Sequence, residues 1–323
     1  MSRSAGRGRV RLLADVGGTN ARFALQRRGA RPSELRVISD DRYSTLAAAA
    51  KAYLEAVGGV RPRVAAFAVA SPVIGDRIAL TNRAWSFSIK ALRETLGLDA
   101  LHIVNDIEAV ALALPALGGK DRIAIGGGRA KPGAPIGVLA PGTGLGAAAL
   151  VWHRGVAVPV ASEGGHVTMP AADDAEAAVL DWLRRDLGHV SAERVLSGQG
   201  LINLHRALAA LAGGAHEPAL DPAEVTRRAG ADAHPIATAT TAMFSAMLGT
   251  VAGNLALTFG ALGGIYIAGG IVPKLGAAFD AARFRARFED KGRFQPYLAR
   301  IPTWIVTHET PALLGLAALL DRD

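Results

Sequence analysis

Two short glycine turns hold the residues with which this sequence could do chemistry. The first, Asp15-Val16-Gly17-Gly18-Thr19-Asn20, sets a carboxylate and a hydroxyl beside two glycines between β-type runs. Backbone N–H groups bare of side chains can approach a phosphate closely, so this is a phosphate-turn candidate. An ordinary hairpin loop is the plain alternative, because Asp-x-Gly turns are common. The second turn, Pro141-Gly142-Thr143-Gly144-Leu145-Gly146, repeats the same chemistry with a hydroxyl between glycines. No Lys-Ser or Lys-Thr closes either run, and Gly142-x-Gly144-x-Gly146 lacks the dinucleotide spacing, so neither a Walker A loop nor a Rossmann oxidoreductase is indicated. A third turn, Ala268-Gly269-Gly270, follows the strand-like GIYI and could lie against an adenosine, although a glycine pair there commonly only turns the chain.

Carboxylates and an imidazole form a second set. Asp106 follows the apolar run LHIVN and opens a helix, at a strand's C-terminal end, where open α/β sheets bind ligands. There it could act as a general base, or Asn105 or Asp106 could simply cap the helix. Glu163-Gly-Gly-His166 places an acid and an imidazole on one tight loop, and Glu193 lies near the start of a helix in SAERVLSG. Each also has a plain explanation: a loop histidine is commonly a surface hydrogen-bonding residue, and the dipole of a helix favours an acid in its first turn. No His-Glu-x-x-His zinc spacing occurs. Together, one amide, three carboxylates and one imidazole suit a polyhydroxylated sugar, because carboxylates accept hydrogen bonds from neighbouring hydroxyls.

These groups need a scaffold, and the flanking pattern supplies one. RVRLLADV, VAAFAVA and LHIVND read as strands; TLAAAAKAYLEAV, IKALRETLGL and IEAVALALPAL read as helices, an alternation that predicts α/β architecture. Residues 12–29 and 138–155 align without a gap, each as strand, glycine turn and strand. Two such copies suit two related α/β halves, the duplicated plan of sugar kinases, actin and heat-shock ATPases, or a chance likeness between two glycine-rich hairpins. The glycine- and proline-bearing stretch 115–137 is the candidate hinge or boundary. The C-terminal helix PALLGLAALL is expected to return to the first domain.

Bulk properties agree with a folded protein. The 323 residues favour two domains, and with 50% apolar and 20% charged residues the composition is that of a globular chain. The net charge of +8 sits partly in Arg3, Arg7, Arg9 and Arg11, read as a solvated basic tail, and no nucleic-acid-binding signature accompanies it. The absence of cysteine excludes disulfides and thiolate metal sites and suits a reducing cytosol. Arg11 and Asp15 interrupt the only N-terminal apolar run, so no secretory signal is expected. Residues 236–273 carry no charge, yet Met243, Met247, Val251, Leu255 and Phe259 recur at helical spacing among polar residues and glycines. A buried helix followed by a buried strand is expected there, not a membrane span.

Longer motifs carry a resemblance. LADVGGTNARFAL, LTNRAWSFSI, IVNDIEAVA, APGTGLGAA, SEGGHV, GHVSAERVLSGQGLINL, GNLALTFGALGGIYIAGGIVP and FEDKGRF, in order along nearly the whole chain, resemble the bacterial glucokinases of the non-repressor, hexokinase-like group. With no cysteine, the chain is similar to the zinc-free branch; its basic leader and Gln199 depart slightly from the pattern.

The resemblance implies the two-domain actin-like sugar-kinase fold, with ribonuclease H-like duplicated halves. A small α/β domain would span 1–116, with the C-terminal helix 307–323 packed back on it, and a large α/β domain 117–306, the two closing on sugar, usually in a homodimer. It implies phosphorylation of glucose at the 6-hydroxyl by ATP-magnesium in the cytoplasm, feeding glycolysis, with no nucleic-acid or membrane partner. Asp106 would take the hydroxyl proton, with Asn105, Glu163, His166 and Glu193 on the other sugar hydroxyls. Asp15, Gly17, Gly18, Thr19, Asn20, Gly142, Thr143 and Gly144 would serve the phosphates, Asp15 reaching magnesium through water, with Gly269 and Gly270 near adenosine. The rivals are a kinase for fructose or mannose, a non-catalytic sugar sensor, which would need an added DNA-binding module, and an actin-type structural ATPase.

Overall fold

The computed structural model describes residues 10–80, 85–214, 220–230 and 233–322. Over them the chain divides into two units, Met1–Leu117 with Glu309–Asp323, and Gly118–His308. Arg3, Arg7, Arg9 and positions 81–84 of LTNRAWSFSI lie outside the described residues.

In the first unit, β1 (Arg11–Val16), β2 (Asn20–Gln26) and β3 (Ser33–Ser39) are followed by α1 (Leu46–Ala56) and β4 (Val64–Val69). A small hairpin of β5 (Arg77–Ala79) and β6 (Ser86–Ser88), then α2 (Ile89–Leu96), β7 (Ala100–Asn105) and α3 (Asp106–Ala113) complete it. Its main sheet runs β3-β2-β1-β4-β7, with antiparallel pairing as far as β1 and parallel pairing beyond.

Alternation along β1 sorts the side chains to two faces. Leu12, Ala14 and Val16 join Phe23, Tyr53, Phe67 and Leu92 on one face, where Phe23 stacks on Tyr53 at 5.3 Å. Leu13 faces the other way, with Ala24, Ala66, Ala68 and the C-terminal helix Pro311–Leu320. Small side chains there let helices come close: a Cβ on Gly315 would lie 1.7 Å from the Ala109 carbonyl oxygen of α3.

Arg11 corrects the tail reading. It opens β1, its side chain is 12% exposed, and its guanidinium donates to Asp321 Oδ1 at 2.6 Å. The partner stands 310 positions away, at the end of the C-terminal helix, so the leader's charge pattern holds no trace of it.

The second unit repeats the plan. Its elements are β8 (Arg122–Ala124), β9 (Ile136–Pro141), β10 (Leu145–His153), β11 (Val156–Ser162), α4 (Asp174–Leu187), α5 (Gly198–Leu211), α6 (Pro222–Gly230), α7 (Pro235–Phe259), β12 (Gly264–Ile267), α8 (Ile271–Leu275), α9 (Ala281–Glu289), α10 (Gln295–Ala299) and β13 (Thr303–Val306). The sheet order β11-β10-β9-β12-β13 has the same two antiparallel and two parallel pairings as the first sheet, and β8 adds an antiparallel edge. The aligned segments 12–29 and 138–155 therefore fold into equivalent hairpins.

Helix α7 is long and apolar enough to cross a membrane, but 61% of its most hydrophobic window is buried inside the protein. Glycines set its packing on α9: Cβ atoms on Gly249 and Gly253 would lie 2.2 and 2.6 Å from the carbonyl oxygens of Phe284 and Phe288. Its buried hydroxyls on Thr240, Ser245 and Thr250 donate to carbonyls four residues back, which removes the cost of burying them.

Candidate active site

Strand pairing gathers the first unit's chemistry along one sheet edge. Val16, Val69 and Asn105 lie in one row across the parallel strands β1, β4 and β7. With strands about 4.8 Å apart, the turn after β1 and the β7–α3 junction share the carboxyl edge, two strands apart. Gly17, Gly18 and Thr19 form that turn, closed by Gly17 N–H donating to the Asn20 carbonyl at 3.1 Å, and Thr19 is exposed at its tip.

Asp15 lies one residue before the end of β1, paired across the hairpin with Arg22. Its side chain is 15% exposed, and Arg22 Nη1 donates to Oδ2 at 3.1 Å. Burial raises the Asp15 pKa above the ordinary carboxylate value, against the opposing Arg22 charge and hydrogen bond. A desolvated carboxylate only partly offset by one cation suits a hydrated magnesium ion, which keeps several waters and takes one or two carboxylates with substrate phosphates. Among the described residues, no group of three His, Asp or Glu side chains is gathered to hold a metal.

Asn105 ends β7 and caps α3. Its Oδ1 accepts from Ile107 N–H at 3.0 Å, its Nδ2 donates to the Ser71 carbonyl at 3.2 Å, and its own N–H donates to Glu108 Oε2 at 3.0 Å. The reciprocal bonds are those of a capping box. Asp106 is the first residue of α3, and its Oδ1 also accepts from Ile107 N–H, at 2.7 Å. The helix start thus fixes both side chains at the sheet edge and favours a negative charge there.

The second unit gathers the other set. Glu163 follows β11, and His166 ends the 3-10 turn Gly164–His166, whose entry is pinned by Gly164 N–H donating to Ser162 Oγ at 2.9 Å. Glu193 sits in a second 3-10 turn, Ala192–Arg194, capped by Ser191. The helix at whose start Glu193 lies is thus a 3-10 turn, and the α-helix begins only at Gly198, behind the Ser197 cap. His166 stands between the two acids, Nε2 3.9 Å from Glu163 and Nδ1 4.0 Å from Glu193. Those gaps exceed hydrogen-bond length, so the three side chains do not bond one another directly.

Close packing joins this set to the second glycine turn. Glu193 Oε2 accepts from Leu145 N–H at 2.9 Å, and Gly198 N–H donates to the Gly142 carbonyl at 2.9 Å. Thr143 is exposed at the tip, as Thr19 is in the first turn. Gly269, at φ +78°, packs so closely that a Cβ would lie 2.3 Å from the Pro141 carbonyl, which brings the third turn against the second. Gly270 leads into α8, whose Lys274 ammonium lies over it.

Ser71, Ser162 and Lys274 join these turns without any local pattern that marks them in the chain. Arg22 alone had a readable signal: Asp15 and Arg22 flank the turn at positions that a hairpin pairs.

Two sheets of one plan, each with a hydroxyl-tipped glycine turn at the carboxyl edge of a parallel strand, are the duplicated plan of the actin-like ATPase fold, which sugar kinases share. The glucokinase from an Antarctic psychrotroph is 36% identical and superposes with a TM-score of 0.88 over 97% of this chain and 99% of that one. The Balamuthia mandrillaris glucokinase solved in complex with glucose shares the fold at 21% identity, TM-score 0.81, over 99% and 96% of the two chains. A profile of the glucokinase family matches residues 12–323. A glucokinase of Paramagnetospirillum magneticum is 51% identical over 312 residues, 96% of this chain and 97% of that one. The chain belongs to the glucokinase family.

Proposed function

We propose that this enzyme transfers the γ-phosphoryl group of ATP to the 6-hydroxyl of D-glucose, giving glucose 6-phosphate and ADP, as a cytoplasmic homodimer. The observation that carries the reading is the placement of Asp106 and Asn105 on the same sheet edge as the Gly17, Gly18, Thr19 turn. The acid–imidazole cluster of Glu163, His166 and Glu193 supports it.

In this reading Asp106 accepts the 6-hydroxyl proton as that oxygen bonds to the γ-phosphorus. The bond from phosphorus to the bridging oxygen breaks, and its electron pair leaves with ADP. Asn105, Glu163, His166 and Glu193 hold the remaining hydroxyls. Asn20 and the glycine turns with Thr19 and Thr143 hold phosphates, and Gly269 and Gly270 lie along the adenosine. Asp15 would hold magnesium, and that ion would supply charge neutralisation at the phosphates. Positioning and electrostatics then account for most of the rate, and proton removal for a smaller share.

Purified chain with ATP-magnesium is assayed for ADP release with glucose, fructose, mannose and 2-deoxyglucose, beside a sugar-free control. Glucose-dependent turnover is expected; preference for another hexose would replace glucose, and no turnover with any sugar would defeat the reading. Asp106→Asn is expected to lower kcat about 10²- to 10⁴-fold, with a smaller change in glucose affinity. Near-normal turnover in that variant would remove Asp106 from the chemistry.

A further inference from the structure

The two oxygens of Glu193 face different structures. Oε2 accepts the Leu145 N–H at 2.9 Å, while Oε1 lies 4.0 Å from His166 Nδ1. Leu145 is the first residue of β10, so its N–H belongs to the peptide that closes the Gly142, Thr143, Gly144 turn. Space there is tight: a Cβ on Gly144 would lie 2.5 Å from Glu193 Oε2. The same turn is held at its other end by Gly198 N–H donating to the Gly142 carbonyl at 2.9 Å. Gly165, on the His166 loop, packs against Leu145 so closely that a Cβ would lie 2.0 Å from its carbonyl oxygen. The loops that carry the acids and the imidazole are therefore the loops that brace the second glycine turn.

We propose that Glu193 is a positioning residue through which bound sugar sets the geometry of the Gly142, Thr143, Gly144 turn, so that glucose and nucleotide bind cooperatively. The inference rests on the reading of Glu193 as a sugar ligand and of this turn as a phosphate ligand. A carboxylate is rigid and planar, so a sugar hydroxyl donating toward Oε1 restricts the whole group and fixes where Oε2 points. The Leu145 N–H follows Oε2, and the Gly144–Leu145 peptide turns with it. The carbonyl of the same peptide accepts from Gly142 N–H at 2.8 Å, so a shift of the Leu145 N–H passes to the start of a turn whose glycines at 142 and 144 leave its backbone soft. By linkage, nucleotide in the turn must improve sugar binding by the same factor.

The test is calorimetric titration of a non-hydrolysable ATP analogue with magnesium into the full chain, with and without saturating glucose. In wild type, glucose is expected to tighten the analogue about fivefold or more. Gly144→Ala places a methyl group against Oε2, displacing the carboxylate without deleting it. Its coupling ratio is expected to fall to within about twofold of one, with glucose alone bound more weakly but measurably. Glu193→Gln keeps an oxygen for the Leu145 N–H, so it is expected to bind glucose more weakly yet retain most of the coupling. Glu193→Ala, which deletes the tether, serves if Gly144→Ala does not fold, and its ratio is expected near one. General structural damage would weaken each ligand alone, whereas loss of the tether lowers the ratio between affinities with and without glucose. A wild-type ratio of one with both ligands bound, or an undiminished ratio in Gly144→Ala or Glu193→Ala, overturns the inference. Failure of wild type to bind glucose at all overturns instead the reading beneath it.

Discussion

At the scale of single residues, the site groups are held by bonds that also serve the fold. Asn105 closes a capping box and reaches the Ser71 carbonyl, so capping and the proposed sugar contact coexist at one side chain. Asp15 is the opposite case, because its environment works against stability. Its folded pKa is raised, so between the ordinary carboxylate value and that raised value the folded state binds more protons than the unfolded chain. Stability then falls as pH climbs through that interval and stays lower above it. Asp15→Asn removes this cost, and Arg22, whose side chain is 40% exposed, stays in contact with water. The thermal midpoint at pH 7 is expected to rise, on the order of 2 °C, while kcat falls if Asp15 serves the metal as proposed. Scanning calorimetry at pH 7 and near pH 3 checks the sign, since the gain must vanish where both states are protonated. A lower midpoint at pH 7 would show that the Arg22 pairing outweighs burial. Stabilisation gained at the expense of activity is common at functional sites.

At the scale of elements, small residues decide which helices and strands can meet. The C-terminal helix approaches α3 through Gly315 with no space for a methyl group beside the Ala109 carbonyl. Gly315→Ala is expected to destabilise the protein by about 1–3 kcal/mol through overpacking, read as a lower urea midpoint. Gly230, at the end of α6, has nothing within 4 Å of the place a Cβ would take and no positive φ, so Gly230→Ala is the matched control. It is expected to be neutral or to stabilise by about 0.4–1 kcal/mol. Equal effects from both substitutions would mean that backbone entropy, not contact, governs these glycines. The two glycine hairpins were legible in sequence because alternation and turn residues are local signals. Strand β8 was not: three residues carry no readable period, and the stretch 115–137 that contains it reads as a linker. Only its pairing with β13 makes it a strand.

At the scale of the whole molecule, the proposed sugar ligands divide between the units, Asn105 and Asp106 in the first, Glu163, His166 and Glu193 in the second. If all of them hold glucose, hydrogen exchange should slow on adding it both around 105–108 and around 163–166. Protection confined to one segment would strike the other's residues from the site. The sequence by itself determined the α/β class, the repeated glycine hairpin, the buried character of the segment 236–273 and the residue types offered by the candidate site. Those follow from composition, periodicity and turn chemistry within short windows. Only the tertiary structure decided that Arg11 is an ion-paired strand residue, that His166 stands between two acids, and that one oxygen of Glu193 holds the turn at Leu145. Glu193 and Leu145 are 48 positions apart, and contacts at such separations are set by how packed elements bring loops together, which no local pattern in the chain encodes.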